Sequence, residues 1–258
     1  MIAEGPTLEA GGTHARMGRQ IVSGSGGVVA RATSTRTQRK SAWPARLDLA
    51  QSLTGLLLAA FLAIHLLLDS AILFGPDAAD FVAHFFEGEL FFGTSHSWIV
   101  SAAAVAILVL VVIHASLAMR KFPQSYRDYA VMRGHVRALE HTDTRLWWWQ
   151  AATGFALFFL VAAHLFVVIT HPSAIGADPS TRRVVEQGAW ALYLIFLPVV
   201  LVHAAVGVYR LSVKWGVPPL VDAVRASKRR TVMWIVVVAY LALGLASLAT
   251  YLGRGLAG

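Results

Sequence analysis

Long apolar runs alternate along the chain with short blocks that hold nearly all of its charge. A helix needs roughly 20 mainly apolar residues to cross the hydrocarbon core of a bilayer. Five stretches meet that requirement: Ser52–Phe74, Trp98–Met119, Trp148–Thr170, Gln187–Leu211 and Thr231–Tyr251. An isolated strand in lipid would leave its backbone groups unpaired, so each stretch is expected to be helical. The predicted fold is therefore all-α, an integral membrane bundle of five transmembrane helices spanning residues 47–258. The first four are expected to form a four-helix core. Residues 1–46, rich in Gly, Ser, Thr and Arg and without helical period, read as a disordered basic tail. They hold no apolar core of the kind a signal peptide needs. Met17 offers an alternative start within that tail.

Composition agrees with a membrane protein. Only 14% of the residues are charged, against about a quarter in soluble domains. The placement of Lys and Arg then gives orientation. Residues 1–46 hold seven of them; the second connection (Arg120, Lys121, Arg127, Arg133, Arg137, Arg145) holds six, and the fourth (Arg210, Lys214, Arg225, Lys228, Arg229, Arg230) six more. The first connection has none, the third has Arg182 and Arg183, and the C-terminal tail has Arg254. Nineteen thus fall on one side and three on the other. Cytoplasmic loops are the basic ones, so the N-terminus is expected in the cytoplasm and the C-terminus outside a cytoplasmic (inner) membrane. The net charge of +8 answers to topology, and nucleic acid is not an expected partner. With no cysteine, disulfides, thiolate zinc sites and cysteine-ligated iron–sulfur clusters within this chain are excluded. Trp147, Trp148 and Trp149 stand where the third helix enters the bilayer, a usual place for amphipathic rings.

Four of the ten histidines fall inside the apolar spans, one on each of the first four helices: His65, His114, His164 and His203. Ionisable groups within membrane helices are rare and usually face a functional interior. Helices one and three run outward, which puts His65 and His164 at one level in the outer half. Helices two and four run inward, which puts His114 and His203 together in the inner half. Facing imidazoles can ligate one haem iron from both sides, and bundle cores commonly hold such cofactors. Two levels, about 15 Å apart for ten residues at 1.5 Å rise, predict two haem b groups stacked across the bilayer. Ala115, Ala118, Ala204, Ala205 and Gly207 leave room for a flat macrocycle, although small residues also serve close helix packing. A lone membrane histidine is more often a hydrogen bond between helices, but chance rarely puts four at two matched depths. A single zinc or copper ion could not serve both levels. His14, His84, His96, His135, His141 and His171 lie outside the spans or at their edges and read as solvated or interfacial.

The stretches LDLAQSLTGLLLAAFLAIH, HASLAMRKFPQSYRDY, DTRLWWWQAATGFALFFLVAAH and HAAVGVYRLSVKWG resemble the dihaem cytochrome b membrane subunit of quinol:fumarate reductases and of menaquinone-linked succinate dehydrogenases. The likeness covers residues 45–216. It implies that His65 and His164 hold the distal haem and that His114 and His203 hold the proximal one. It also implies a cytoplasmic flavoprotein with FAD, where fumarate and succinate interconvert, and an iron–sulfur subunit docked on the basic face. Quinone or menaquinone in the lipid would be the substrate of this chain. Electrons from quinol would pass through the two haems to the iron–sulfur subunit, and a dimer of complexes is suggested.

The same resemblance implies further site residues. Glu87, in FFEGEL of the acidic first connection, occupies the family's quinol-site position, where a carboxylate can accept a proton. Tyr193 is a candidate quinone contact, otherwise an interfacial aromatic. Gln51, Ser52, Trp147, Arg183 and Lys214 match positions that hold haem propionates, although basic residues at helix ends often only snorkel. Glu89, Asp77 and Asp80 read as solvated loop acids. One departure stands out. Members thought to return protons through the membrane carry a glutamate two residues before the fourth haem histidine, where this chain has Leu201.

Other readings stay open at this stage. The chain could work in reverse, in a succinate:quinone oxidoreductase. It could anchor a different membrane oxidoreductase, or be a haem-free scaffold whose histidines only tie helices together.

Overall fold

A computed structural model of the chain describes residues 41–123, 125–138, 142–216 and 226–257. Residues 1–40 of the expected tail, with His14 and Met17, lie outside the described residues, as do His141 and Arg225. Five long helices carry the fold: α1 (Trp43–Asp69), α4 (Ser97–Met119), α6 (Thr142–Thr170), α8 (Ala189–Trp215) and α9 (Ala226–Ala257). All five are long and apolar enough to span a bilayer. Among the described residues every regular element is helical. The protein is an all-α membrane bundle. Its outward surface is apolar: Phe166, for example, is 66% exposed and Val238 62% exposed. Such side chains belong against lipid rather than water.

The helices outrun the apolar stretches at the basic end. α1 begins at Trp43 rather than Ser52, so residues 43–46, expected to close the tail, already form its first turn. Pro44 suits that position, where a missing N–H leaves no hydrogen bond unmade. α6 begins before Trp148, α8 runs past Leu211 to Trp215, and α9 begins before Thr231. Apolarity marks the oily depth, whereas the backbone ladder continues into the headgroup layer. There Asp48 of α1 holds Lys214 of α8 at 3.1 Å, and Arg120 and Lys121, just past α4, at 3.2 and 2.8 Å.

α1, α4, α6 and α8 form a ring. α1 packs on α4 and α8, and α6 packs on the same two, so α1 faces α6 across one diagonal and α4 faces α8 across the other. The Ser101 hydroxyl of α4 donates to the Ile169 carbonyl of α6 at 2.8 Å, a polar tie of the kind that joins membrane helices. α9 stands outside the ring against α8, where Leu197 and Leu201 meet Val237, and Val206 and Tyr209 meet Met233.

The connections are structured too. A 3-10 turn (Ser70–Phe74) prolongs α1 and stops at Gly75, whose φ of 116° no helix tolerates. Two short helices follow, α2 (Pro76–Phe86) and α3 (Glu89–Phe92), while α5 (Tyr126–Ala138) lies in the second connection and α7 (Ala177–Val185) in the third. α2 and α7 are amphipathic pieces that close the end of the bundle opposite the basic one. Ile72, Ala79, Ala177, Val184, Leu248 and Tyr251 form the buried cluster there. Asp80 reaches from α2 to accept the Ala177 N–H at 2.7 Å, capping α7 from another element. It is therefore more than the solvated loop acid expected. Gly176 permits this contact, since a Cβ there would stand 2.7 Å from the Asp80 carboxylate and its φ is +100°.

Candidate functional site

A cavity of 1240 Å³ runs along the ring axis and is lined by His65, His114, His164 and His203 together. Pockets for one small ligand reach about 1000 Å³, so this space exceeds the needs of a single such molecule. It extends from Asp69, Arg183 and Tyr251 at the capped end to Lys121 and Lys214 at the basic end.

At the capped end His65 of α1 and His164 of α6 meet across the ring. Their ring centres are 6.3 Å apart, with planes tilted by 56°. Two metal–imidazole bonds of about 2 Å each, with the roughly 1 Å from each nitrogen to its ring centre, span about the same distance. The surroundings are aromatic. Phe61 stacks on His65 at 5.4 Å, and Tyr193 and Phe196 flank His164 at 5.9 and 5.5 Å. The His164 Nδ1 is buried and has no hydrogen-bond partner.

At the basic end the imidazoles are hydrogen-bonded. His114 of α4 lies against α1, where its Nδ1 is 3.1 Å from the Thr54 hydroxyl. His203 of α8 lies against α6, where its Nδ1 meets the Gln150 carbonyl at 3.0 Å and the Thr153 hydroxyl at 3.2 Å. Glycine makes both approaches feasible. A Cβ on Gly55 would come within 2.9 Å of the His114 ring, and one on Gly154 within 3.0 Å of the His203 ring. Gly55 precedes His65 by ten residues, and Gly154 precedes His164 by ten. Both helices thus give the same axial step of about 15 Å between the two histidine levels.

The capped-end pair has the spacing of a bis-imidazole porphyrin site, and the basic-end imidazoles offer the same donor chemistry. The supporting observations are the 6.3 Å spacing, the glycine cradles and the long shared cavity. Among the described residues no cluster of three or more His, Cys, Asp or Glu side chains gathers at one point. The residues expected to hold anionic substituents are divided between the two ends of the cavity. Gln51, Ser52, Trp147 and Lys214 line the basic end of the cavity, and Arg183 lines the capped end. Several already have partners: Ser52 accepts from the Trp215 indole at 3.1 Å, Lys214 pairs with Asp48, and the Arg183 guanidinium donates to the Ala174 carbonyl. The Gln51 Oε1 is buried without a partner. Ala115, Ala118, Ala204 and Gly207 line the cavity as expected for room beside a macrocycle, whereas Ala205 packs toward α9.

Glu87 sits just after α2, where its backbone N–H closes the helix on the Ala83 carbonyl. Its side chain is 13% exposed and its carboxylate stands 3.7 Å from the His84 Nδ1. It does not line the cavity, although Val82, Ala83 and Phe86 of the same helix do. His84 bonds more closely to Glu89, at 2.8 Å.

Sequence reasoning passed over several residues that line the cavity. Asp69 closes α1 one turn beyond His65, within electrostatic reach of that ring and of Arg183. An acid at the edge of an apolar span was the available signal. Tyr251 brings α9 to the same end and packs in the buried cluster with Ala177 and Val184 of α7. Gly55 and Gly154 line the cavity too, and with the adjacent Thr54 and Thr153 they carried a signal, since both Thr-Gly pairs stand at one fixed interval before a histidine.

Fold and cavity define a class: an integral membrane four-helix ring with four histidines lining its cavity at two depths and a fifth helix outside. Sequence comparison gives the family. The profile of the succinate dehydrogenase/fumarate reductase transmembrane subunit family matches residues 123–245. A fumarate reductase cytochrome b subunit of Helicobacter pylori is 44% identical over 218 residues, covering 84% of this chain and 84% of that protein. Its counterpart from Wolinella succinogenes is 40% identical over 229 residues, covering 86% and 87%. The chain belongs to the succinate dehydrogenase/fumarate reductase transmembrane subunit family.

Proposed function

We propose that this chain is the dihaem membrane anchor of a fumarate reductase, linking a quinol pool in the lipid to a cytoplasmic flavoprotein and iron–sulfur subunit. The observation that carries this reading is the pair of histidine levels along one cavity. His65 with His164, and His114 with His203, would each hold one haem b. When bound, the haems supply one-electron couples at two depths of the bilayer. The protein's part is to hold them in register, keep water out and manage protons.

The ends have different duties. At the capped, outer end Glu87 accepts a proton from quinol, with Tyr193 beside His164 as a contact for the quinone ring. Arg183 there, and Gln51, Ser52, Trp147 and Lys214 at the basic end, would hold the carboxylates of the porphyrins. The basic end is the cytoplasmic face and takes the iron–sulfur partner. Leu201 is packed against Val237 of α9 and holds no titratable group. The chain therefore lacks a proton route at that position, and turnover separates charge across the membrane.

The test is haem content of the purified complex. Two haems b per chain are expected, with b-type bands in a reduced-minus-oxidised spectrum. One haem or none removes the reading.

A further inference from the structure

The two halves of the ring carry the same sequence device. α1 has Gln51-Ser-Leu-Thr54-Gly55 fourteen residues before His65 is reached from Gln51, and α6 has Gln150-Ala-Ala-Thr153-Gly154 at the same interval before His164. In each half the following ring helix has His-Ala with a small residue four positions after the histidine: His114, Ala115 and Ala118, then His203, Ala204 and Gly207. Membrane proteins commonly contain such parallel repeats about an axis along the bilayer normal. Here each repeat supplies one ligand of the His65/His164 pair and a surface against which a His114/His203 ring rests.

We infer that the Gln-x-x-Thr-Gly turn is a seat for the histidine of the next ring helix, with Thr54 and Thr153 as positioning residues that fix its tautomer and strengthen it as a ligand. This rests on the dihaem reading. The hydrogen bonds give the reason. Thr54 donates its hydroxyl proton to the Ala50 carbonyl at 2.9 Å, and Thr153 donates its own to the Trp149 carbonyl at 2.6 Å. Each hydroxyl oxygen is then only an acceptor toward the imidazole, and the Gln150 carbonyl can only accept. The ring must donate, so Nδ1 carries the proton and Nε2 keeps its lone pair for the cavity. An Nδ1–H held by acceptors makes the imidazole a more basic ligand, which favours ferric over ferrous iron. The glycine beside each threonine lets the ring approach closely enough. His164 has no such acceptor at Nδ1, so the device serves one level only.

The experiment uses the purified complex. Potentiometry followed by α-band absorption, with electron paramagnetic resonance of the ferric signals, is applied to the wild type, the Thr54→Val/Thr153→Val double variant and the matching serine double variant. His203→Ala identifies which signal belongs to the basic-end pair. In the valine variant that signal should move to higher potential, reflecting about a tenfold loss of ferric preference, or about 59 mV for one electron. The other haem should stay put, and serine should restore the original value. Unchanged potentials, equal shifts of both haems, or no restoration by serine would overturn the inference. Should the valine variant lose haem, Gly55→Ala and Gly154→Ala decide. Each should cost the same single haem, although they lie in opposite halves of the chain; loss of both haems, or of neither, refutes the seat. Two haems in the wild type with an unresponsive valine variant would reject the seat and leave the dihaem reading intact.

Discussion

The two ends of the cavity use the same residue in opposite surroundings. At the capped end Phe61, Tyr193 and Phe196 surround His65 and His164. At the basic end Thr54 holds His114, and Thr153 with the Gln150 carbonyl holds His203. Aromatic walls give shape and low polarity without fixing a proton. Hydroxyl and carbonyl acceptors dictate where the imidazole proton sits. One end is thus defined by packing and the other by hydrogen bonding. The comparison teaches that equivalent histidines in a near-symmetric bundle become inequivalent through the side chains around them.

Histidine replacement should give the largest effect. His65→Ala and His164→Ala are expected to lose the same haem, and His114→Ala and His203→Ala the other. Each takes the content from two per chain to one by pyridine haemochrome assay. Within a pair the residual spectra should coincide, and between pairs they should differ. Should His65→Ala and His114→Ala leave the same spectrum, the pairing along the diagonals is wrong.

Glu87→Gln comes next. It should reduce quinol-driven fumarate reduction by about a hundredfold while leaving both haem spectra unchanged. Fumarate reduction by a soluble dye should continue at the wild-type rate, because the dye bypasses the quinol site. An unaffected quinol rate would move the proton acceptor elsewhere at the capped end, and Asp69 is the carboxylate lining the cavity there.

A smaller effect is expected from Asp80→Ala, which uncaps α7. Loss of such a cap costs roughly 1 kcal/mol, or about 2–4 °C in the apparent unfolding midpoint for a protein of this size. The haem of the His65/His164 pair should become the more labile of the two on heating. Equal lability would mean that α2 and α7 do not support one end in particular.

Much of this architecture was legible in the sequence, for reasons that also explain what was not. Apolarity and the placement of Lys and Arg gave five spans, and counting along them put the four histidines at two depths. Those signals fade outside the bilayer core, which is why α1 starts at Trp43 and α8 reaches Trp215 unannounced. α2 and α7 are short and owe their placement to contacts such as Asp80 with Ala177, which no local pattern encodes. Thr153 reads in isolation as a mild helix residue bonding its own turn. Only the neighbouring helix reveals it as a partner of His203.

Asp48 gives the smallest expected effect and the most discriminating one about the basic end. Its carboxylate is 36% exposed and faces Arg120, Lys121 and Lys214, which are 33, 45 and 38% exposed. Pairs so open to solvent contribute from nothing to about 1 kcal/mol each, and a shared carboxylate does not multiply that figure. Asp48→Asn should therefore lower the unfolding midpoint by less than Asp80→Ala does. The deficit should shrink in about 1 M salt, where charges are screened within about 3 Å. The Asp80 deficit should persist, because its bond to Ala177 is partly buried. A large, salt-independent loss in Asp48→Asn would mean that the cluster fixes α1, α4 and α8 rather than merely decorating their ends. The basic end would then owe its form to a charge network as well as to the seats of His114 and His203.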